Sequence, residues 1–277
     1  MSFDPRITPA RGDLAASSLR GNVEAKSFVE GETSAICVGR TGLRAGPSAT
    51  SGMASEVLFG ETLTVYERRD GWAWVQCALD DYVGYVREEA LGEPMRPTHR
   101  VIATSTPLLP APDVKRPALD LLPMNAQVHV AGYEGRFARL ASRGFVFADH
   151  LVTLDDRQKD WVAIAERFLG APYIWGGKTY EGLDCSGLVQ TALQTAGIAC
   201  PRDSDLQEKA LGRAVEDLSR PQRGDLVFWK GHVGIMLDGA RMLHANAHSM
   251  NVTIERLSEA IMRIAKTGSE VTSLRRL

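Results

Sequence analysis

Alternating apolar and polar residues run through the first half of the chain and predict short β-strands separated by turns. The three clearest stretches are residues 57–65, 70–75 and 82–86. A weaker copy of the pattern follows at residues 121–130, 134–140 and 144–147. Short, evenly spaced strands close into small barrels more readily than they form open sheets. The pattern therefore predicts two small β-barrels in tandem.

Prolines and a change of periodicity divide the chain into four predicted segments. Pro94 and Pro97 cannot continue a strand ladder, so they separate the two barrels. The predicted segments are an N-terminal arm (1–32), a first barrel (33–93), a second barrel (98–153) and a third domain (156–277). The arm is polar and irregular, with helical character around residues 24–29, and we expect it to pack on the barrels.

Two helices are predicted in the third domain from apolar residues at helical spacing. The first covers residues 159–169, and its apolar stripe, which is typical of core packing, consists of Trp161, Ile164, Ala165 and Phe168. The second covers residues 186–196, which are good helix formers, and Gly197 ends it. Cys185 therefore lies at a predicted helix N-terminus.

Two histidines fall on short apolar strands further along the chain. Residues 224–237 are typical of two strands joined by a turn at Lys230 and Gly231, and His232 opens the second strand. His244 lies in a third strand, residues 241–246. In this order along the chain, a cysteine is followed by two histidines that a sheet can bring close to it.

Cys185 has the sequence environment of a nucleophile. Aligned peptide dipoles and unpaired N–H groups at a helix N-terminus favour the thiolate, so we expect the pKa of Cys185 to fall from roughly 8.5 to about 3.5–7.5. The attack also needs a base that can return a proton to the leaving amine, which is the usual task of histidine. We expect His232 to be that base and His244 to hold its far nitrogen.

The other cysteines and histidines are interpreted as structural residues, because a lone cysteine is more often an inert buried hydrophobe than a nucleophile. They are Cys37, Cys77, Cys200, His99, His129, His150 and His248. Zinc binding by Cys185, His232 and His244 stays open as an alternative, although their wide spacing lacks the short paired-ligand signature.

The third domain contains five motifs in a fixed order: Tyr173-Ile174-Trp175-Gly176-Gly177, Asp184-Cys185-Ser186-Gly187, Pro201-Arg202-Asp203-Ser204 with Gln207, Gly224-Asp225-Leu226-Val227-Phe228 with His232-Val233-Gly234-Ile235, and Leu243-His244-Ala245. In these motifs and their order, the domain resembles the NlpC-type cell-wall cysteine peptidases, a papain-like family. Both barrel segments resemble bacterial SH3-like modules, the first more closely. The resemblance implies an α+β fold: a papain-like catalytic domain, with the cysteine helix packed on an antiparallel sheet, preceded by two small SH3-like β-barrels.

The resemblance also implies an activity, which is hydrolysis of the γ-D-glutamyl to diamino acid bond of peptidoglycan stem peptides. Cys185 would be the nucleophile, His232 the general base and His244 the orienting third member, while Tyr173 would flank the oxyanion or the substrate backbone. The candidates for binding the peptide are Asp184, Ser186, Asp203 and Ser204. Their alternative role is local: Asp184 would cap its helix, and Asp203 and Ser204 would cap a helix that begins near Asp205.

In recycling enzymes of this kind, an SH3-like module narrows the active-site mouth so that only short peptides with a free N-terminal L-alanine enter. A buried ammonium costs several kcal/mol unless it is paired. Glu61 matches the amine-binding position, with Tyr82 as its companion. Their alternative roles are a charge at a hairpin edge and an aromatic residue of the barrel.

Composition narrows the possible partners and the compartment. A net charge of -2 gives no electrostatic reason to expect nucleic acid or an anionic membrane as a partner. Asp4, Arg6, Arg11 and Asp13 interrupt any apolar leader, so we expect a cytoplasmic enzyme without a signal peptide, most simply a monomer. Murein tripeptides and tetrapeptides are the expected substrates, and no metal or organic cofactor is needed. The alternatives are an inactive wall-binding scaffold and an amidase or acyltransferase on the same fold.

Overall fold

The computed structural model describes residues 3–217 and 220–277, and the chain divides into two compact units, Met1–Leu154 and Asp155–Leu277. The first unit contains only strands and short 3₁₀ turns in its described part, whereas all four α-helices of the described residues lie in the second. No helix among the described residues is long and apolar enough to cross a membrane.

The N-terminal arm forms a small parallel pair of strands, β1 (Leu14–Ala16) and β2 (Ser27–Val29). The helical character expected around residues 24–29 is therefore wrong. Phe28 and Val29 are aromatic and β-branched, and they are half-buried in a strand that pairs with the buried strand β1. The arm packs within its unit, since Ile7 contacts the core of the following sheet and the amide of Val83 donates to the carbonyl of Arg6.

A seven-stranded antiparallel sheet follows the arm. Its strands are β3 (Glu32–Ile36), β4 (Arg40–Arg44), β5 (Met53–Leu58), β6 (Thr62–Arg69), β7 (Trp72–Cys77), β8 (Val83–Arg87) and β9 (Leu91–Gly92). Their spatial order is β5-β4-β8-β7-β6-β3-β9. The core of this sheet is formed by fully buried residues that include Leu43, Val57, Leu63, Val75 and Val86.

The single strand expected at residues 57–65 is two strands, β5 and β6, joined by a tight turn. Gly60 sits in this turn with a φ of 76°, a left-handed conformation that glycine adopts without steric cost. The corresponding stretch of the second copy, residues 121–130, is also broken, at Asn125 with a φ of 69°. Periodicity alone missed both turns because the apolar residues continue in phase across them.

The rest of the first unit consists of eight shorter strands. They are β10 (His99–Val101), β11 (Ser105–Leu108), β12 (Asp120–Pro123), β13 (Gln127–Val128), β14 (Val130–Glu134), β15 (Phe137–Leu140), β16 (Phe145–Phe147) and β17 (Leu151–Thr153). In each copy a 3₁₀ turn, Glu88–Ala90 or Ala148–His150, leads into a last strand that returns to the first: β9 pairs with β3, and β17 pairs with β10. The two copies therefore share this closing connection.

The second unit is a papain-like α+β fold. Its helices are α1 (Trp161–Glu166), α2 (Cys185–Thr195), α3 (Ser204–Ala210) and α4 (Leu257–Ala265). Its strands are β18 (Lys178–Thr179), β19 (Gly182–Leu183), β20 (Arg213–Ala214), β21 (Leu226–Trp229), β22 (His232–Met236), β23 (Arg241–Asn246), β24 (Asn251–Arg256) and β25 (Val271–Arg276). Six of these strands form one antiparallel sheet in the order β20-β25-β21-β22-β23-β24.

Helix α2 packs on strands β22 and β23, as expected for a cysteine helix on an antiparallel sheet. Its apolar residues Leu188, Val189, Ala192 and Leu193 are all fully buried. Helix α1 is shorter than the predicted residues 159–169. It begins after Asp160, whose side chain accepts a hydrogen bond from the amide of Ala163, and beyond residue 166 the chain continues in tighter turns.

Candidate active site

Cys185 is the first residue of helix α2, and Asp184 caps that helix. The Oδ1 atom of Asp184 accepts a hydrogen bond of 2.7 Å from the amide of Gly187. A side chain at position 187 would overlap the carbonyl oxygen of Gly177, so only glycine lets these two backbones approach. The motif around the cysteine is therefore fixed by close backbone packing as well as by the cap.

A buried ion pair lies beneath the start of α2. Arg202 is 1% exposed, and its guanidinium donates to both carboxylate oxygens of Asp184, at 2.9 and 2.8 Å. The same guanidinium donates to the hydroxyl of Ser186 at 2.9 Å, and the amide of Gly176 donates to Asp184 at 2.8 Å. Asp184 and Ser186 thus hold the helix start together, which favours the local role of Asp184 over peptide binding.

Arg202 was not expected as part of the site. Its signal in the sequence is a single arginine inside the Pro201-Arg202-Asp203-Ser204 motif, together with an acidic helix cap that needs a cation once it is buried. Nothing in the local pattern joins these two residues, because Asp184 caps helix α2 and Arg202 lies in the loop that precedes helix α3. The structure supplies the pairing.

The expected fall in the pKa of Cys185 is wrong in direction. The pKa of the thiol is raised to about 12, mainly by burial and also by the negative charge of Asp184, although Arg202 and hydrogen bonds from the backbones of Val233 and Ser186 act in the opposite direction. A helix N-terminus contributes only about 0.3–2 kcal/mol, and each pKa unit corresponds to about 1.4 kcal/mol, so desolvation dominates. At neutral pH the resting sulfur keeps its proton and needs a base.

His232 and His244 face each other across neighbouring strands. His232 opens β22 and His244 lies in β23, and the Nε2 atom of His232 is 2.9 Å from the Nδ1 atom of His244. Burial is the main cause that lowers the pKa of His232 to about 3 and that of His244 to about 4. Both rings are therefore neutral near pH 7, the state that a general base requires.

The structure brings the cysteine and the two histidines to one place. The backbone of Val233, the neighbour of His232, is hydrogen-bonded to Cys185, so the sulfur lies at the start of β22. Since the Nε2 atom of His232 contacts His244, the Nδ1 atom is the ring nitrogen that is left for a reacting proton. This is the arrangement of an acyl-transfer site with a sulfur nucleophile.

Tyr173 lies beside this group. Its side chain is half-buried, and burial together with the charges of Cys185 and Asp184 raises the pKa of its hydroxyl to about 12. The hydroxyl therefore stays protonated at every physiological pH and is able to donate a hydrogen bond. Next to it, Trp175 is 70% exposed and Ile174 is 42% exposed, so the chain just before β18 presents an apolar surface.

Asp203 and Ser204 lie at the start of helix α3, one residue earlier than expected. Asp203 occupies the N-cap position, but its side chain makes no cap hydrogen bond, and Ser204 is 8% exposed. Helix α3 is tied to the cysteine helix, because the side-chain amide of Gln207 donates to the carbonyl of Ser186 at 2.9 Å. Peptide binding by Asp203 and Ser204 stays a prediction.

Glu61 and Tyr82 belong to the first unit, and both are buried. Glu61 is 3% exposed, and its Oε2 atom accepts a hydrogen bond of 3.1 Å from the amide of Leu58 across the Gly60 turn. Tyr82 is 5% exposed and belongs to the core of the seven-stranded sheet. These positions agree with their alternative roles as turn and barrel residues, and their contact with substrate stays a prediction.

Behind His244 lies a second set of polar residues that the sequence did not suggest. The Nε2 atom of His244 is 3.2 Å from the Oε2 atom of Glu255 and 3.1 Å from the Nδ2 atom of Asn246. Glu255 is held in turn by Arg263 of helix α4 through contacts of 3.0 and 2.6 Å. The contact could have been predicted only from the pairing of β23 with β24. His244 pairs with Thr253, and Glu255 lies two residues further along β24.

The zinc alternative has no support from the arrangement of side chains. In residues 3–217 and 220–277, no group of three or more histidine, cysteine, aspartate or glutamate side chains is placed to hold a metal ion. The two nitrogens through which His232 and His244 face each other are hydrogen-bonded to one another.

Comparison with known proteins gives two family matches. Residues 170–270 match the NlpC/P60 family, and residues 43–91 match the bacterial dipeptidyl-peptidase Sh3 domain. A gamma-D-glutamyl-L-lysine dipeptidyl-peptidase of Bacillus subtilis is 28% identical over 232 residues, which cover 75% of this chain and 77% of that protein. A dipeptidyl-peptidase 6 of Lysinibacillus sphaericus is 32% identical over 114 residues, which cover 40% of this chain and 41% of that protein.

Among solved structures, an NlpC/P60 family protein from Bacillus cereus has a similar fold. It aligns with a TM-score of 0.75 and 20% identity, over 88% of this chain and 99% of that one. The likeness in fold therefore extends beyond the residues of the two family matches.

Proposed function

We propose that this chain, a cysteine peptidase with an NlpC/P60 domain and a bacterial dipeptidyl-peptidase SH3 domain, hydrolyses the γ-D-glutamyl-L-diamino acid bond of peptidoglycan-derived peptides. The observation that carries the proposal is the 2.9 Å contact between His232 and His244 at the strand edge where the sulfur of Cys185 lies. One helix and one sheet thus provide a nucleophile, a neutral base and an orienting group: Cys185 on α2, His232 on β22 and His244 on β23.

The reaction begins from a protonated thiol and a neutral imidazole. His232 takes the thiol proton at Nδ1 while the sulfur of Cys185 attacks the γ-carbonyl carbon of the D-glutamyl residue. The imidazolium then gives this proton to the departing amine of the diamino acid, and an acyl-enzyme remains. His232 next removes a proton from water, which attacks the thioester carbonyl, and the thiol is restored.

The starting protonation states have a consequence for the proton transfer. Because burial raises the pKa of Cys185 and lowers that of His232, the thiolate–imidazolium pair is not the resting state. Proton transfer is then coupled to attack, and the helix N-terminus, the backbone of Val233 and Arg202 stabilise the negative charge as it forms. Tyr173, protonated and adjacent, is suited to donate to the substrate backbone or to the oxyanion.

We propose further that the substrate has a free N-terminal L-alanine, so that the product is the dipeptide L-alanyl-D-glutamate. Support comes from the names of the two relatives, both of which are dipeptidyl-peptidases. A buried carboxylate such as that of Glu61 provides a low-dielectric partner for the substrate ammonium. Free amines belong to released peptides, so this specificity fits the cytoplasmic recycling of wall fragments.

The test of the reaction uses L-alanyl-γ-D-glutamyl-diaminopimelate and its N-acetylated form, with products identified by mass spectrometry. We expect cleavage between glutamate and diaminopimelate in the free peptide and little cleavage in the acetylated one. Cleavage at another bond would overturn the proposed reaction. Equal cleavage of cross-linked wall and of free peptides would overturn the recycling role while leaving the peptidase activity intact.

The role of Glu61 has its own test. Glu61→Gln keeps an oxygen for the amide of Leu58 but removes the charge, so kcat/KM for the free-amine peptide should fall about tenfold or more, as expected for a charged hydrogen bond of roughly 1.5–3 kcal/mol. Cleavage of the acetylated peptide should change little. Glu93→Gln, at an exposed position of the linker, is the matched control. Equal losses on both peptides would show that Glu61 supports the fold instead.

A further inference from the structure

His244 can exist in two neutral tautomers, and they have opposite consequences for His232. If His244 carries its proton on Nε2, its Nδ1 lone pair accepts a hydrogen bond from the Nε2–H of His232. The Nδ1 atom of His232 then has a lone pair and is a base. If His244 carries its proton on Nδ1, it donates to His232, whose own proton must then sit on Nδ1, where it blocks proton uptake from a thiol.

Two neighbours compete to decide which tautomer forms. The Oε2 atom of Glu255, 3.2 Å from the Nε2 atom of His244, is an acceptor only and favours a proton on Nε2. The Nδ2 atom of Asn246, 3.1 Å from the same nitrogen, is a donor and favours a lone pair there. The amide of Asn246 is fixed in this orientation, because its Oδ1 atom accepts hydrogen bonds from the amide and hydroxyl of Ser249.

The strand register explains why Glu255 reaches His244. His244 is paired with Thr253 in the ladder of β23 and β24, and Glu255 is two residues further along β24, on the same face. Arg263 holds the carboxylate through two hydrogen bonds and keeps the pKa of Glu255 below its usual range, so the acceptor is ionised. His244 itself is fully buried, and the carboxylate acts on it in a low dielectric.

We propose that Glu255 is a positioning residue that selects the Nε2–H tautomer of His244 and thereby leaves the lone pair of His232 on Nδ1, ready for the thiol proton. This inference rests on the proposed function, because it concerns the base of that reaction. The charged and titratable groups that act on His244 are Glu255 of β24, Arg263 of α4 and His248 of the turn after β23, together with His232, to which it is hydrogen-bonded. Of these, Glu255 is the group that contacts the Nε2 atom and can accept a hydrogen bond from it.

The test is nitrogen-15 NMR of the full chain labelled at histidine, without substrate, since long-range proton–nitrogen correlations distinguish protonated from unprotonated ring nitrogens. In the wild type we expect protons on the Nε2 atoms of both His232 and His244. In Glu255→Leu, Asn246 is the remaining partner, and the proton of His244 should move to Nδ1. Glu255→Gln keeps an acceptor oxygen and should retain the wild-type tautomers.

Kinetics give a second readout on the same variants. Because the wrong tautomer blocks the base without touching substrate, kcat of Glu255→Leu should fall about 100-fold while KM changes less than about twofold, and Glu255→Gln should lose much less. Glu259→Leu, at an exposed position on α4, is the matched control and should behave as wild type. Arg263→Gln removes the ion pair but keeps the carboxylate, so its loss should be smaller than that of Glu255→Leu.

Three results would each overturn the proposal. One is a proton on Nδ1 of His232 in the wild type, a measurement that does not depend on how any variant folds. Another is a folded Glu255→Leu with unchanged tautomers and kcat, and the third is an Arg263→Gln with an equal loss, which would reduce Glu255 to an ion-pair partner. If the wild type cleaves no γ-D-glutamyl peptide at all, the proposed function fails, and the tautomer result still stands by itself.

Discussion

Two of the carboxylate–arginine pairs in the second unit flank the site, one beneath the cysteine and one behind the histidines, and they differ in burial and in neighbours. The side chains of Arg202 and Asp184 are 0% and 10% exposed, whereas those of Arg263 and Glu255 are 25% and 18% exposed. Asp184 accepts hydrogen bonds from the backbone amides of Gly176 and Gly187, whereas Glu255 contacts the ring of His244.

The difference shows that the same kind of ion pair, an arginine with a carboxylate, can serve two different purposes. In the first pair, the carboxylate of Asp184 is hydrogen-bonded to groups that shape the backbone around Cys185, so the loss of the pair should appear in stability. In the second pair, the carboxylate touches a ring that faces the base, so its loss should appear mainly in kcat. The burial of the pair determines how much its loss lowers the free energy of unfolding. The groups that the carboxylate contacts determine whether the loss also lowers kcat.

The largest effect is expected from breaking the first pair. Arg202→Met leaves the carboxylate of Asp184 buried without its cation, so the free energy of unfolding of the second unit should fall by about 3–5 kcal/mol. Urea unfolding followed by far-UV circular dichroism measures this change. The double variant with Asp184→Asn removes the stranded charge and should recover part of the loss; a single-variant loss below about 1 kcal/mol would contradict the structural role of the pair.

The next effect concerns the histidines that the second pair supports. Their pKa values are lowered from 6.5 to about 3 for His232 and about 4 for His244, so the unfolded chain binds protons below pH 6.5 that the native state refuses. Stability is therefore present above pH 6.5 and is lost as the pH falls towards 3, by up to about 1.4 kcal/mol per pH unit for each group. Unfolding titrations between these limits measure the slope, and His232→Gln should flatten it. An unchanged slope would mean that the rings are solvated.

The smallest effect is expected from the second pair itself. Arg263 and Glu255 are partly exposed, and water screens their attraction, so Arg263→Gln should lower the free energy of unfolding by about 1 kcal/mol or less. The same urea experiment places this value beside that of Arg202→Met. Equal losses of unfolding free energy in Arg263→Gln and Arg202→Met would show that the two ion pairs do not differ in their contribution to stability.

The secondary-structure elements that carry Cys185, His232 and His244 could be predicted from the sequence alone. Helix α2 has a capping aspartate, an apolar face and a terminating glycine at Gly197, and strands β22 and β23 have the short apolar pattern of a buried sheet. These are local signals, so they can be read without knowledge of the fold. The papain-like fold and the SH3 domain before it were implied by the resemblance of motifs to a known family, and the two family matches confirm them.

What the sequence could not supply depends on packing between distant residues. The pKa of Cys185 is set by burial under the sheet, which outweighs the helix N-terminus that a local pattern shows. The pairing of Arg202 with Asp184 joins the loop before helix α3 to the cap of helix α2, and the contact of Glu255 with His244 depends on the register of two strands. Turns at Gly60 and Asn125 interrupt apolar runs that look continuous, because a positive φ leaves no trace in hydrophobic periodicity.

The central claim, that Cys185 is the nucleophile of a γ-D-glutamyl peptidase, is tested most directly by Cys185→Ala. Release of L-alanyl-D-glutamate from the free-amine peptide should disappear, and the free energy of unfolding should stay close to that of the wild type. Cys200→Ala, which removes another buried cysteine that forms no disulfide, should keep its activity if it folds. Substantial release of the dipeptide by a folded Cys185→Ala enzyme would contradict the account.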